Sequence, residues 1–315
     1  TMIEANNLTK RYGTKVAVNG ISFRVEPGTV TGFLGPNGAG KSTTMRMIVG
    51  LDAPTSGHVT VNGKPYAQHA APLHEVGALL EAKAVHTGRS ARNHLRALAA
   101  THGMAPKRVD EVINMTGLAE VASKRVGGFS LGMGQRLGIA AAMLGDPKTL
   151  ILDEPVNGLD PEGVKWVRTM VRYLADEGRT VFLSSHLMTE MALTADQLIV
   201  IGRGRIIASG AVQEVIDATS GTSVTVRSPG ATQLVELLAG PDVSITSLEP
   251  GVLSVRGLEA AEIGESAARH GIALHELSPI KASLEEAFMT LTADDVEYHS
   301  TATISDTTTQ NGVAA

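Results

Sequence analysis

Residues 35–42, Gly35-Pro36-Asn37-Gly38-Ala39-Gly40-Lys41-Ser42, fit the pattern G-x-x-x-x-G-K-[ST] and follow an apolar run, Val30-Thr31-Gly32-Phe33-Leu34, that reads as a strand. Three glycines at Gly35, Gly38 and Gly40 let the backbone turn its N–H groups inward. The result is an anion cradle that opens into a helix N-terminus over residues 41–50. This spacing predicts a phosphate-binding loop that works with Mg²⁺. Lys41 reaches the β- and γ-phosphates, Ser42 offers its hydroxyl to Mg²⁺, a hard cation that takes oxygen ligands, and Thr43 bonds on the α-phosphate side. An ordinary strand-turn-helix corner explains a glycine or two but not Lys-Ser at this offset.

Working outward, residues 3–8, 21–25 and 29–34 read as short strands, with Pro27-Gly28 as the turn before the last, and residues 58–61 as another strand ended by Asn62-Gly63. From residue 90 to 142 the apolar spacing turns helical, as in Leu95, Leu98 and Ala99 and again in Val109, Val112 and Ile113. This predicts a helical insert, about 82–145, inside an α/β core. The core resumes with a strand at 149–152, a helix over 161–177 and strands at 180–183 and 197–201. Strands alternating with helices imply a mostly parallel sheet that holds ligands at its carboxyl edge. Residues 218–221 read as a linker. Beyond it the order is strand 223–227, helix 232–238, strands 243–248 and 252–255, helix 260–270 and strand 273–277, a ferredoxin-like order, with a further helix over 283–291. The expected domains are therefore residues 2–217 and a small α+β unit over 222–292. Residues 293–315 have too few apolar side chains to pack and are expected to be disordered.

A phosphate loop needs an acidic partner, and Leu150-Ile151-Leu152-Asp153-Glu154 supplies one: an apolar strand that delivers two adjacent carboxylates to the sheet edge. Asp153 is expected to hold Mg²⁺, and Glu154 to orient or deprotonate the attacking water.

With these two elements in order, residues 2–217 resemble the nucleotide-binding subunit of an ATP-binding cassette (ABC) transporter. Phe129-Ser130-Leu131-Gly132-Met133-Gly134-Gln135-Arg136 resembles the family's signature loop, which implies that Ser130 and Gly132 bind the γ-phosphate held by a second copy. Asn157-Gly158-Leu159-Asp160 resembles the D-loop, which implies that Asp160 binds at the nucleotide, and Ser184-Ser185-His186 ends a strand as the family's switch histidine does, which makes His186 catalytic beside Glu154 and Lys41. Tyr12 sits where the family stacks an aromatic ring on adenine. The chain departs from the pattern at Leu131 and Met133. It departs again at Glu81, which stands where the family has a glutamine that touches Mg²⁺ and implies a carboxylate ligand there.

Glutamate at this position and a small domain after the cassette resemble the drug- and bacitracin-resistance exporter type. That resemblance implies an ATPase working as a homodimer on separate permease subunits, peripheral at the cytoplasmic face of the cell membrane. The alternative class is a soluble regulatory or DNA-repair ATPase built on the same cassette. Such proteins carry two cassettes or a long coiled-coil insert, whereas this chain has one phosphate loop and no sustained heptads.

Composition bounds domain number and partners. With 315 residues, 43% hydrophobic side chains and 34 glycines, the chain can bury a large core in more than one domain. A formal net charge of -5 and the lack of a basic cluster interleaved with aromatics make nucleic acid an unexpected partner. No cysteine is present, which excludes disulfides and thiolate metal sites. No apolar run approaches the roughly 18 residues of a membrane span.

Overall fold

The computed structural model describes residues 2–80, 85–219, 223–280 and 283–293. Glu81 and residues 294–315 lie outside the described residues. In chain order the first elements are β1 (Ile3–Tyr12), β2 (Lys15–Val25), β3 (Val30–Leu34), α1 (Lys41–Ile48), β4 (Ser56–Val61), α2 (Pro72–Glu75), β5 (Val76–Leu79), α3 (Ala91–Thr101), α4 (Pro106–Met115) and α5 (Leu131–Ala142). They are followed by β6 (Thr149–Leu152), α6 (Pro161–Asp176), β7 (Thr180–Ser184), α7 (Met188–Thr194), β8 (Gln197–Gly202), β9 (Arg205–Ala211) and α8 (Val212–Thr219). The last part holds β10 (Ser223–Arg227), α9 (Ala231–Leu238), β11 (Ser244–Glu249), β12 (Val252–Arg256), α10 (Ala260–Arg269), β13 (Glu276–Ile280) and α11 (Leu284–Thr292).

The central sheet has the order β5-β6-β7-β3-β8-β9, parallel except for β9, which runs antiparallel to β8. Every residue of β3, β6 and β7 is buried, as expected of parallel strands covered on both faces. Because β6, β7 and β3 are neighbours, three loops leave the same edge side by side: the phosphate loop after β3, Asp153-Glu154 after β6 and Ser185-His186 after β7. That adjacency builds the site.

A three-stranded antiparallel sheet, β2-β1-β4, covers one side. It is pinned by Phe23 of β2, whose ring centroid lies 6.1 Å from that of Phe33 and 5.8 Å from that of Phe182 in the central sheet. On the other side α3, α4 and α5 pack Leu95, Val109, Val112, Ile113 and Leu137 into the core that also holds β6 and α6. Helix α6 starts at Pro161, where the missing N–H costs nothing, and Asp160 caps it by accepting from the Gly163 N–H at 2.9 Å. Its buried face is Val167, Met170, Val171 and Leu174.

Strands β10–β13 form a separate antiparallel sheet, β11-β12-β10-β13, with their own core of Val224, Val226, Leu253 and Val255 under Leu234 of α9 and Ile263 of α10. Helix α11 does not join that core. Leu284 and Ala287 are buried with the first core, against α8 and α7. The unit expected over residues 222–292 thus differs at its last helix. The linker expected at 218–221 differs too, since α8 runs to Thr219, and the strand expected at 273–277 is shifted to 276–280. Pro279 looks like a strand breaker in sequence, but among the described residues β13 is an edge strand paired to β10 alone, where a missing N–H is tolerated. Among the described residues no helix is long and apolar enough to cross a membrane.

Candidate functional site

The phosphate loop is held by close backbone approaches that only glycine permits. A Cβ at Gly35 would lie 2.4 Å from the Ile201 carbonyl oxygen, and one at Gly40, where φ is 107°, would lie 2.5 Å from that of Ala17. Lys41 folds back over the loop and donates from Nζ to the carbonyls of Gly35 at 2.6 Å and Pro36 at 3.2 Å. Burial lowers the Lys41 pKa, an effect opposed by the Glu154 and Asp153 carboxylates.

Two cavities flank the lysine and share Asn37, Lys41 and Ser42. One, of about 370 Å³, runs from Pro36, Gly38, Gly40 and Thr43 to Tyr12. Tyr12 is 48% exposed at its mouth and donates its hydroxyl to Asp52 Oδ2 at 2.9 Å. The other, of about 290 Å³, is bounded by Asp153, Glu154, Gln135, Asn157 and Leu131.

The carboxylates sit in a dense hydrogen-bond network. Asp153 accepts from Ser42 Oγ on Oδ2 at 2.6 Å and from Ser184 Oγ on Oδ1 at 2.5 Å. Glu154 has φ 51°, the left-handed region, which costs a non-glycine residue about 1–3 kcal/mol and persists only where the surroundings over-determine it. Here they do. Its N–H donates to Ser184 Oγ at 2.9 Å, its carbonyl accepts from Gln135 Nε2 at 2.7 Å and from the Asn157 N–H at 3.2 Å, and its Oε2 accepts from the His186 N–H at 3.2 Å. The His186 ring nitrogen Nδ1 lies 2.6 Å from the same oxygen.

The structure therefore brings together Lys41, Ser42, Asp153, Glu154 and His186, with Thr43 and Tyr12 at the outer end. It does not bring Ser130, Gly132 or Asp160 to either cavity. Ser130 caps α5 by accepting from the Met133 N–H at 3.2 Å, and Asp160 caps α6. Gly132 packs on the loop before α6, where a Cβ would lie 2.9 Å from the Gly158 carbonyl oxygen. Ala39 is buried under the loop. Glu81, expected as a metal ligand, is outside the described residues.

Two residues that the sequence did not single out for a role are Ser184, fully buried, and Gln135, 4% exposed. Their signals were present: a hydroxyl ending an otherwise apolar strand, and an amide on the buried side of α5.

The donor set near Asp153 suits Mg²⁺. Ser42 and Asp153 offer only oxygen, and no group of three or more His, Cys, Asp or Glu residues able to hold a metal occurs among the described residues. Mg²⁺ commonly binds one or two carboxylates and completes its shell with phosphate oxygens and water, so these residues fit an ion that arrives with its nucleotide.

A family model described as ABC transporter matches residues 18–157, and one described as Domain of unknown function (DUF8746) matches residues 222–285. The chain is 34% identical over 309 residues to the uncharacterized ABC transporter ATP-binding protein YhcH of Bacillus subtilis (strain 168), covering 94% of this chain and 98% of that one. It is 33% identical over 295 residues to the bacitracin transport ATP-binding protein BcrA of Enterococcus faecalis, covering 92% and 96%. A solved ATP-binding subunit of an ABC transporter superposes with a TM-score of 0.64 at 26% identity, over 69% of this chain and 93% of that one. With the phosphate loop, the paired carboxylates and the histidine on adjacent strand ends, and relatives matched along nearly their whole length, the chain belongs to the family of ABC transporter ATP-binding proteins and is a cassette ATPase.

Proposed function

We propose that this chain is the ATP-hydrolysing subunit of an exporter, acting as a pair of identical copies around two ATP and driving separate integral-membrane permease subunits from the cytoplasmic face. The observation that carries the chemistry is the clamped Glu154, whose carboxylate opens on the cavity shared with Lys41 and Asp153. The loop N–H groups and Lys41 bind the phosphates, and Glu154 takes the proton of the attacking water. His186 holds the Glu154 carboxylate through two contacts on Oε2. Ser42 and Asp153 would hold Mg²⁺, which supplies charge neutralisation on the phosphate oxygens. Chemistry of this kind depends on positioning and electrostatics rather than on a covalent intermediate.

The pairing of copies is supported by the signature-like segment and by Ser130 and Gly132 lying outside the cavities of their own chain. Likeness to bacitracin and linearmycin-resistance ATP-binding proteins along most of the chain supports a peptide or antibiotic cargo. The test is Glu154→Gln. Its amide keeps the shape but does not accept the proton, so turnover should fall about 10²- to 10⁴-fold, the usual contribution of a general base, while nucleotide affinity stays near the parent's. Turnover at the parental rate would overturn the assignment of Glu154. Purification from membranes of a stoichiometric integral partner tests the exporter role.

A further inference from the structure

The hydroxyl of Ser184 lies between the two carboxylate-bearing residues and touches both. It donates to Asp153 Oδ1 at 2.5 Å and accepts the Glu154 N–H at 2.9 Å, using its one proton and one lone pair in opposite directions. It is fully buried at the last position of β7, next to β6. The two bonds have separate effects. The first fixes Oδ1, which turns Oδ2 toward Ser42 and the phosphate loop. The second holds the Glu154 peptide at φ 51°, a conformation that is unfavourable without such a hold.

We infer that Ser184 is a positioning residue for ATP hydrolysis, a buried hydroxyl that sets the metal-facing orientation of Asp153 and the strained backbone of Glu154 together. The inference rests on the roles assigned above to Asp153 and Glu154. Removing the hydroxyl takes from Asp153 Oδ1 and from the Glu154 N–H the one partner that ties them together, so the strand ends relax and the two carboxylates lose their common register. Ser185, one residue on, does not substitute, because its Oγ is engaged by the Leu187 N–H at 3.0 Å.

The experiment compares the parent with Ser184→Ala, Ser184→Cys and Glu154→Gln in the full chain. Two readouts are needed: turnover at saturating ATP, and the further rise in melting temperature that Mg²⁺ adds to the rise caused by ADP alone. For Ser184→Ala, turnover should fall about ten- to a hundredfold, as expected for losing a hydrogen bond to a charged group. ADP alone should still raise the melting temperature as in the parent, because the phosphate loop is untouched, and the Mg²⁺ increment should shrink to less than half. Cysteine, a weak donor of similar size, should fall between serine and alanine in both readouts. If Ser184→Ala matches the parent in turnover and Mg²⁺ increment while Glu154→Gln is inactive, Ser184 only fills space and the inference is overturned. If Glu154→Gln turns over like the parent, the assignment of the site fails instead. Should the alanine variant not fold, parental values of both readouts in Ser184→Cys overturn the inference.

Discussion

Lys41 shows how local geometry changes the chemistry of one side chain. Its ammonium donates to carbonyls of its own loop in this structure, and burial lowers its pKa while Glu154 and Asp153 partly restore it. A base with a lowered pKa loses its charge at a lower pH than a free lysine does. Nucleotide affinity should therefore begin to fall on the alkaline side before the ordinary lysine range is reached. A Lys41→Arg variant, which does not titrate there, should bind more weakly but with a flat profile. Fluorescent-nucleotide titrations across pH check this, and parallel profiles would show that another group controls the fall. Lys41, Ser42, Asp153, Glu154 and His186 were legible in sequence because a loop spacing and two strand ends identify them. Ser184 and Gln135 were not, because their work depends on β7 lying beside β6 and on which side of α5 faces Glu154. Neither fact is local to the chain.

At the scale of elements, α5 has two distinct ends. Ser130 caps its first turn outside the cavities, whereas Gln135 reaches the Glu154 carbonyl inside. One helix thus carries at its start Ser130, proposed above to serve a second copy, and further along Gln135, which holds the Glu154 peptide. If Ser130 serves the neighbour's nucleotide, mixing Ser130→Arg protein with Lys41→Ala protein should regain activity lost by each alone, since one of the two sites in a mixed pair escapes both changes. Mixed pairs isolated by two affinity tags should show roughly half the parental activity per pair at most, and none if a site uses only its own chain. Of the parallel strands, the sequence predicted β3, β6, β7 and β8, which are short, continuous and apolar, but not β5. It did not disclose β9, whose residues alternate between half-buried and exposed at the sheet edge and carry little contrast between faces. Nor did it disclose α8 or the register of β13, where turn-like residues hid a helix end and an edge strand.

The whole molecule is less divided than its two sheets suggest. The chain leaves the cassette after α8, builds β10–β13 with their own core, and returns as α11 to the core it left. Leu284 is 3% exposed and Ala287 fully buried there, and burial of a leucine side chain contributes about 1.5–3 kcal/mol. The unit is also entered and left at neighbouring points, because Ser223 at the start of β10 pairs with Ile280 at the end of β13. Directly opposed residues of an antiparallel pair lie only about 4.5–5.5 Å apart. A chain cut after residue 219 should lose α11 and melt well below the parent. One in which residues 221–282 are replaced by a short glycine-serine join should keep α11, and with it a cooperative melt and stabilisation by nucleotide. Equal melting temperatures for the two shortened chains would show that α11 contributes nothing. The small unit has the layout of a graft: two adjacent sutures, a host that closes over the wound, and a final helix that belongs to the host. Such a layout makes the small unit removable or exchangeable in one piece without opening the core that α11 closes, which is what the 221–282 replacement tests.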